Sequence, residues 1–196
     1  MARPPRYTTD QLLDAAAALA GAGGPAAVTM TAVAKSAGVP SGSLYHRFPG
    51  RPALLAEMWL RTLERFQGSY AQVLAGAGEP RAVALAAARH VVEFSREHPQ
   101  EARILRYGAA DFGRAEWPAA AVARLEAANA GVMSAVADLA ARLGATDEAG
   151  RERVAAALVE VPYGLVQRHL REGTPVPVTA VEMAADCAAA LLPRAA

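Results

Sequence analysis

The sequence predicts an all-α fold, on three observations. Hydrophobic residues make up 53% of its 196 residues, with alanine, the strongest helix former, abundant among them. No run of alternating β-branched residues marks a strand. Glycine and proline cut the chain into segments of helical length. About nine helices follow in order. Arg3-Pro4-Pro5-Arg6 reads as an extended basic arm, and Thr8-Thr9-Asp10-Gln11 as a capping box that opens a first helix ending near Ala22, before Gly23-Gly24-Pro25. Two short helices occupy 29–48. Pro49-Gly50 turns the chain, and a long helix runs from Arg51 or Pro52 through Leu74 to the breaks at Gly76, Gly78 and Pro80. Helices are then expected over 81–98, 101–108, 117–143, 151–172 and 179–192, with an irregular stretch at 109–116, a loop at 144–150 and a proline-bearing linker at 173–178.

The short pair at 29–48 carries most of the functional information. Thr29 suits the N-cap of the first helix. Gly38 tolerates the left-handed conformation that stops it, and Pro40 suits the start of the second. Two helices around so tight a turn are a helix-turn-helix, whose second helix enters a DNA major groove. At about 100° per residue, Leu44 and Phe48 share one face of that second helix, with Val33, Ala34 and Val39 placed to bury them. Gly42, Ser43 and His46 face away, flanked by Tyr45 and Arg47. No carboxylate occurs between Asp14 and Glu57, as a surface approaching polyphosphate requires. Residues 1–52 carry +3 of the net +1, which leaves −2 for the remainder. The positive excess lies where DNA would lie.

Residues 6–58 resemble the N-terminal DNA-binding domain of the TetR family of bacterial transcriptional regulators. The resemblance rests on Gln11-Leu-Leu-Asp-Ala-Ala, on Val33-Ala-Lys-Ser-Ala-Gly-Val39 and on Gly42-Ser-Leu-Tyr-His-Arg-Phe-Pro-Gly-Arg51. Ser41 stands where a basic or amide residue is frequent, and Arg51 where lysine is usual. The rest of the chain is similar only in length and helical character. The resemblance implies a repressor whose effector, bound in the C-terminal region, respaces two recognition helices and releases the operator.

On this reading residues 1–52 form a three-helix DNA-binding domain, and 53–196 a larger helical domain for effector binding and dimerisation. Tyr45 and Arg51 are expected to reach phosphates, Thr29 and Thr31 to anchor backbone from a helix N-terminus, and Ser43 and His46 to read bases. Arg3, Arg6, Ser41, Gly42 and Arg47 complete the DNA-facing set. In the helix over 151–172, Val154, Leu158, Val161 and Leu165 recur at helical spacing, and Val159, Tyr163, Val166 and Leu170 form a second stripe. Ala184, Ala188 and Leu191 follow one face of the last helix. Those stripes suit a four-helix bundle shared by two subunits, the alternative being that both faces are core of a monomer.

Pro162 frees the carbonyl of Leu158 from its usual donor and kinks the helix. His90 lies among apolar residues, either as a satisfied core group or as a polar anchor in a cavity wall. With Phe94, Tyr107, Phe112, Trp117 and Tyr163 it gives a candidate site for a small apolar or aromatic effector. No cofactor is expected. The four histidines lack metal-ligand spacing, and no nucleophile elbow, phosphate loop or complete dinucleotide fingerprint is present. An enzyme is therefore not expected; the alternative to a regulator is an all-α interaction module or an enzyme that does not bind DNA. The single cysteine, Cys187, excludes an intramolecular disulfide and suits a reducing cytoplasm. With no signal-like segment and no 18-residue apolar run, secretion and membrane insertion are not expected.

Overall fold

A computed structural model describes residues 8–193 of the chain; the expected basic arm, with Arg3 and Arg6, lies outside them. Helix α1 (Thr9–Gly23) opens on the capping box: Thr8 Oγ1 accepts from the Gln11 amide, while Gln11 Oε1 accepts from the Thr8 amide. A 3-10 turn (Pro25–Ala27) leads to α2 (Met30–Ala37), N-capped by Thr29. Gly38 takes φ 66°, the left-handed conformation expected of it, and α3 (Ser41–Tyr45) follows. Helical hydrogen bonding continues past α3, with the His46 amide on the Gly42 carbonyl and the Phe48 amide on that of Leu44. The longer helices are α4 (Arg51–Leu74), α5 (Pro80–Glu97) and α7 (Ala119–Arg142), with the short α6 (Pro99–Leu105) between the last two. Glu79 caps α5 by accepting from the Arg81 and Ala82 amides, which hold its carboxyl below the usual carboxylate range.

The chain divides into two compact units: one made of residues 1–63 and 103–125, the other of 64–102 and 126–196. The division expected from sequence cuts the chain once, at 52/53, whereas these units are each discontinuous. In the first, α1, α2 and α3 bury Leu12, Leu13, Ala16, Val28, Val33, Val39, Leu44 and Phe48 together with Leu54, Met58 and Trp59 of α4. Ile104, Phe112, Trp117, Ala121 and Leu125 belong to the same core.

The second unit packs α5 against α10 (Thr179–Leu191) and against the helical stretch 148–172. Several arginines tie its ends. Arg81 donates to the Ala189 carbonyl in the last turn of α10 and to the Pro193 carbonyl beyond it, Arg142 to those of Gly76 and Gly78, and Arg89 pairs with Glu182.

The helix expected over 151–172 begins earlier, at Glu148, and its middle is widened. It comprises α8 (Glu148–Ala155), a π segment (Ala156–Glu160) and α9 (Val161–Glu172). Proline is the cause: without an N–H at Pro162, the Leu158 carbonyl has no helical donor. The buried Tyr70 supplies one, its hydroxyl donating to Leu158 O at 2.7 Å. The wider turn also changes which residues face inward. Val154, Leu158, Pro162, Val166 and Leu170 are all buried, a repeat of four residues throughout. A uniform α-helix would drift by about 40° per such step, and a wider turn subtracts from that drift.

Candidate DNA interface and effector site

The first unit presents a helix pair on a fully buried base. Leu44 and Val33 are both 0% exposed, so α2 and α3 are held together by their apolar faces. Outward stand Thr29, Thr31, Ser41, Gly42, Tyr45 and His46, all exposed, with Ser43 and Arg47 half-buried. Lys35 and Ser36 join this exposed face and were absent from the sequence-derived set, although Lys35 is the only lysine in the chain. Tyr45 leaves 56% of its surface open.

Two arginines of the expected set are committed inside the unit. Arg51 donates through Nε to the Val28 carbonyl at 2.7 Å and through Nη2 to the Pro25 carbonyl at 2.9 Å. It therefore ties the end of the 3-10 turn to the start of α4, which the sequence did not suggest. Arg47 donates to Thr9 Oγ1 at 2.8 Å, linking the segment after α3 to α1.

The six residues expected to line an effector site do not form one cluster. Phe112 and Trp117 are buried in the core of the first unit, where Tyr107 also packs. Trp117 donates from Nε1 to the Phe112 carbonyl at 2.9 Å, and its ring lies 5.8 Å from that of Trp59, whose own Nε1 donates to the Tyr107 carbonyl. The Tyr107 hydroxyl packs on Gly24, where a Cβ would come within 2.7 Å of it. These three aromatics, expected at an effector site, belong instead to the core of the first unit.

His90, Phe94 and Tyr163 belong to the second unit. There Phe66 and Tyr70 of α4 join His90 and Phe94 of α5: Phe66 stacks on Tyr70 at 5.6 Å and meets Phe94 edge-on at 5.1 Å, and His90 lies 6.1 Å from Tyr70. Tyr163 packs partly buried against the same core. Sequence reasoning missed Phe66 and Tyr70, although their i, i+4 spacing on a long helix marked them as one face.

His90 is half-buried, and burial lowers its pKa below the usual imidazole range, with His98 adding to the effect while Glu93 and Glu97 oppose it. Its Nε2 lies 2.9 Å from Ser69 Oγ. The single Ser69 hydroxyl proton points to the Phe66 carbonyl. Oγ must then accept from Nε2–H, which assigns the neutral Nε2–H tautomer. Burial also lifts the Tyr70 phenol far above its ordinary range.

A ring held neutral binds fewer protons folded than unfolded, so its contribution to stability is present above the unfolded pKa of roughly 6.5 and is lost as pH falls through the lower folded value. Between pH 7 and 5 the wild-type melting temperature is therefore expected to drop more than that of His90→Gln. Parallel curves for the two proteins would show that the ring takes up its proton alike in the folded and unfolded states.

The residues expected at a subunit interface also separate. Val154, Leu158 and Ala184 are 0% exposed and Ala188 likewise; all four lie in the second unit's own core, so they cannot meet a second subunit. Val161, Leu165 and Leu191 are half-buried, the latter two packed against that core. Along 148–172 the π segment brings Pro162 and Val166, instead of Val161 and Leu165, onto the face of Val154 and Leu158. The apolar surface left open in this region belongs to Val159, Val178 and Met183, at 39%, 65% and 49% exposure.

Among the described residues no group of three or more His, Cys, Asp or Glu could hold a metal ion, and no helix is long and apolar enough to cross a membrane.

Helices α2 and α3, with α3 exposed and free of carboxylates, form a helix-turn-helix arrangement. Residues 12–58 match the family model described as "Bacterial regulatory proteins, tetR family". Over those residues the chain is similar to the DNA-binding domain of that family of regulators. Over 76 residues it is 37% identical to the HTH-type transcriptional repressor KstR2 of Mycolicibacterium smegmatis, a match spanning 39% of this chain and 37% of that relative's length. Among solved structures, a TetR-family regulator from Streptomyces coelicolor is 26% identical with a TM-score of 0.60, over 93% of each chain. FadR of Bacillus subtilis, solved with stearoyl-CoA, is 12% identical with a TM-score of 0.71, over 94% of this chain and 98% of its own. At that identity the likeness to FadR is one of all-α fold.

Proposed function

We propose that this protein is a homodimeric repressor that binds a palindromic operator and leaves it when a small molecule occupies the second unit. The observation that carries the reading is the exposed face of α2 and α3, with Thr31, Lys35, Ser41, Tyr45 and His46 standing outward over a sealed core. Ser43 and His46 are the base readers, Tyr45 a phosphate contact, and Thr29 and Thr31 the backbone anchors. A monomeric motif of this size would read one short half-site; a two-fold dimer reads two, about 10 bp apart or a multiple of it. The dimer contact is assigned to the outer faces of α9 and α10 and the adjoining π segment, with Val159 and Met183 as its apolar points.

The test is a titration of duplex DNA taken from upstream of the protein's own gene. Wild type is expected to bind a palindrome there as a dimer. Met183→Glu is expected to sediment as a folded monomer and to lose operator binding, because a charge on a half-open surface harms an interface but not a core. Arg51→Ala is expected to weaken binding through the loosened Pro25–Val28 turn while leaving the slope of log K against log salt nearly unchanged. A slope reduced by about 0.9 would instead make Arg51 a phosphate contact. Failure of the wild type to bind any upstream duplex would remove the repressor reading.

A further inference from the structure

The polar groups around the aromatic cluster of the second unit specify what an effector must bring; this rests on reading that unit as the effector domain. Seen along α4 at about 100° per residue, Phe66 and Tyr70 lie about 40° apart, with Ser69 about 60° to one side of Phe66 and Gln67 about 60° to the other side of Tyr70. Each flank makes one polar link to a neighbouring helix: Ser69 to His90 of α5 at 2.9 Å, and Gln67 Nε2 to Asn129 Oδ1 of α7 at 3.0 Å.

Both links leave an acceptor over. Gln67 Oε1 is buried with no hydrogen-bond partner among the described residues. Once His90 Nε2–H is directed to Ser69, the His90 Nδ1 lone pair is the ring's remaining polar site. The donor of the cluster, the Tyr70 hydroxyl, is already engaged by the Leu158 carbonyl. An unsatisfied buried acceptor is costly, and a ligand donor removes that cost.

Positive charge is also committed elsewhere in this unit. Arg65 pairs with Glu101, Arg89 with Glu182, and Arg81, Arg96, Arg142 and Arg151 donate to main-chain carbonyls. Arg153, Arg168 and Arg171 are exposed. The other unpartnered buried side-chain atom of the unit, Glu101 Oε2, is again an acceptor and belongs to a carboxylate. Glu93 and Glu97 accompany His90 on α5. An anion at Gln67 and His90 would meet acceptors and carboxylates, the uncommitted guanidiniums of Arg153, Arg168 and Arg171 being exposed and the unpartnered Nε of Arg103 belonging to the first unit.

We infer that the effector is an uncharged, ring-bearing molecule whose hydroxyl or N–H groups donate to Gln67 Oε1 and His90 Nδ1, with its ring against Phe66 and Phe94. It is an alcohol, phenol or amide, and not a carboxylate or an acyl thioester of a nucleotide.

Calorimetric titration of the full-length protein at pH 7 with 1-naphthol, 1-methoxynaphthalene, 1-naphthoate and stearoyl-CoA tests this. The first two share one ring system and differ in the donor, so the comparison needs no variant. Naphthol is expected to bind about five- to tenfold tighter than its methyl ether, the worth of a neutral hydrogen bond to a buried acceptor. The single naphthol O–H engages one acceptor at a time, so Gln67→Leu, which removes the buried unpartnered acceptor, is expected to shrink that ratio while leaving the affinity for the ether in place. Equal affinities for naphthol and its ether would overturn the donor requirement. Tighter binding of naphthoate or stearoyl-CoA would overturn the class while leaving the effector domain standing. Binding by none of the probes would overturn both.

Discussion

Leu158→Glu should unfold the second unit instead of releasing a folded monomer. The side chain is 0% exposed, and its carbonyl accepts the Tyr70 hydroxyl at 2.7 Å. A glutamate there would carry a charge into a site with no cation to meet it, a penalty of at least several kcal/mol after relaxation. Total stability of a domain is about 5–15 kcal/mol, so one such substitution consumes most of it. Ala188→Asp, also 0% exposed, should behave alike. Circular dichroism and sedimentation velocity provide the check: the expected result is loss of the cooperative melt, with aggregation or an expanded chain. A helical, cooperatively melting monomer would mean that these side chains do face a second subunit.

Trp117→Ala should abolish operator binding by loosening the DNA-binding unit, with no selective change in effector response. Trp117 is 6% exposed, tilts against Trp59 and donates to the Phe112 carbonyl. Truncating a buried tryptophan costs about 3–5 kcal/mol through lost transfer energy and the cavity left behind. For a chain of this length that lowers the melting temperature by about 6–20 °C. The unpaired Phe112 carbonyl adds to the loss. Phe94→Ala is the comparison: Phe94 is 5% exposed in the other unit, edge-on to Phe66, so its truncation should alter ligand binding and spare the ligand-free affinity for DNA. Thermal melts beside operator titrations of the two variants separate the cases. Tryptophan truncation that left operator affinity intact would show that residues 103–125 are dispensable to the helix-turn-helix.

Both predictions depend on where a buried side chain sits, and there the sequence reached its limit. Local rules carried the helix-turn-helix well. Thr29 as cap, Gly38 in the left-handed region and the Leu44–Phe48 face all depend on neighbours within a few residues, and the structure places each as expected. The free Leu158 carbonyl was likewise legible, since a missing N–H at Pro162 is a covalent fact. Its partner was not: Tyr70 is 88 residues away in the chain.

Assignment of faces in the C-terminal region failed for a related reason. A 3.6-residue period projected through 151–172 joins Leu158 to Val161 and Leu165, whereas the π segment joins it to Pro162 and Val166. Aromatic residues near helix ends gave no indication of which core they entered. Trp117, Phe112 and Tyr107 are close in sequence to the second unit's helices, yet they pack with Trp59 and the first unit.

The sequence alone determined the class of fold, the helix-turn-helix pair and the freed carbonyl, because each follows from propensity, capping or covalent structure over one or two helical turns. Tertiary structure alone decided that Arg51 holds the Pro25–Val28 turn, that residues 103–125 complete the DNA-binding core, and that Val154, Leu158, Ala184 and Ala188 point inward. Those outcomes depend on which apolar faces bury one another, and apolar burial is non-directional. Many partners satisfy a hydrophobic stripe equally well until the whole chain has packed.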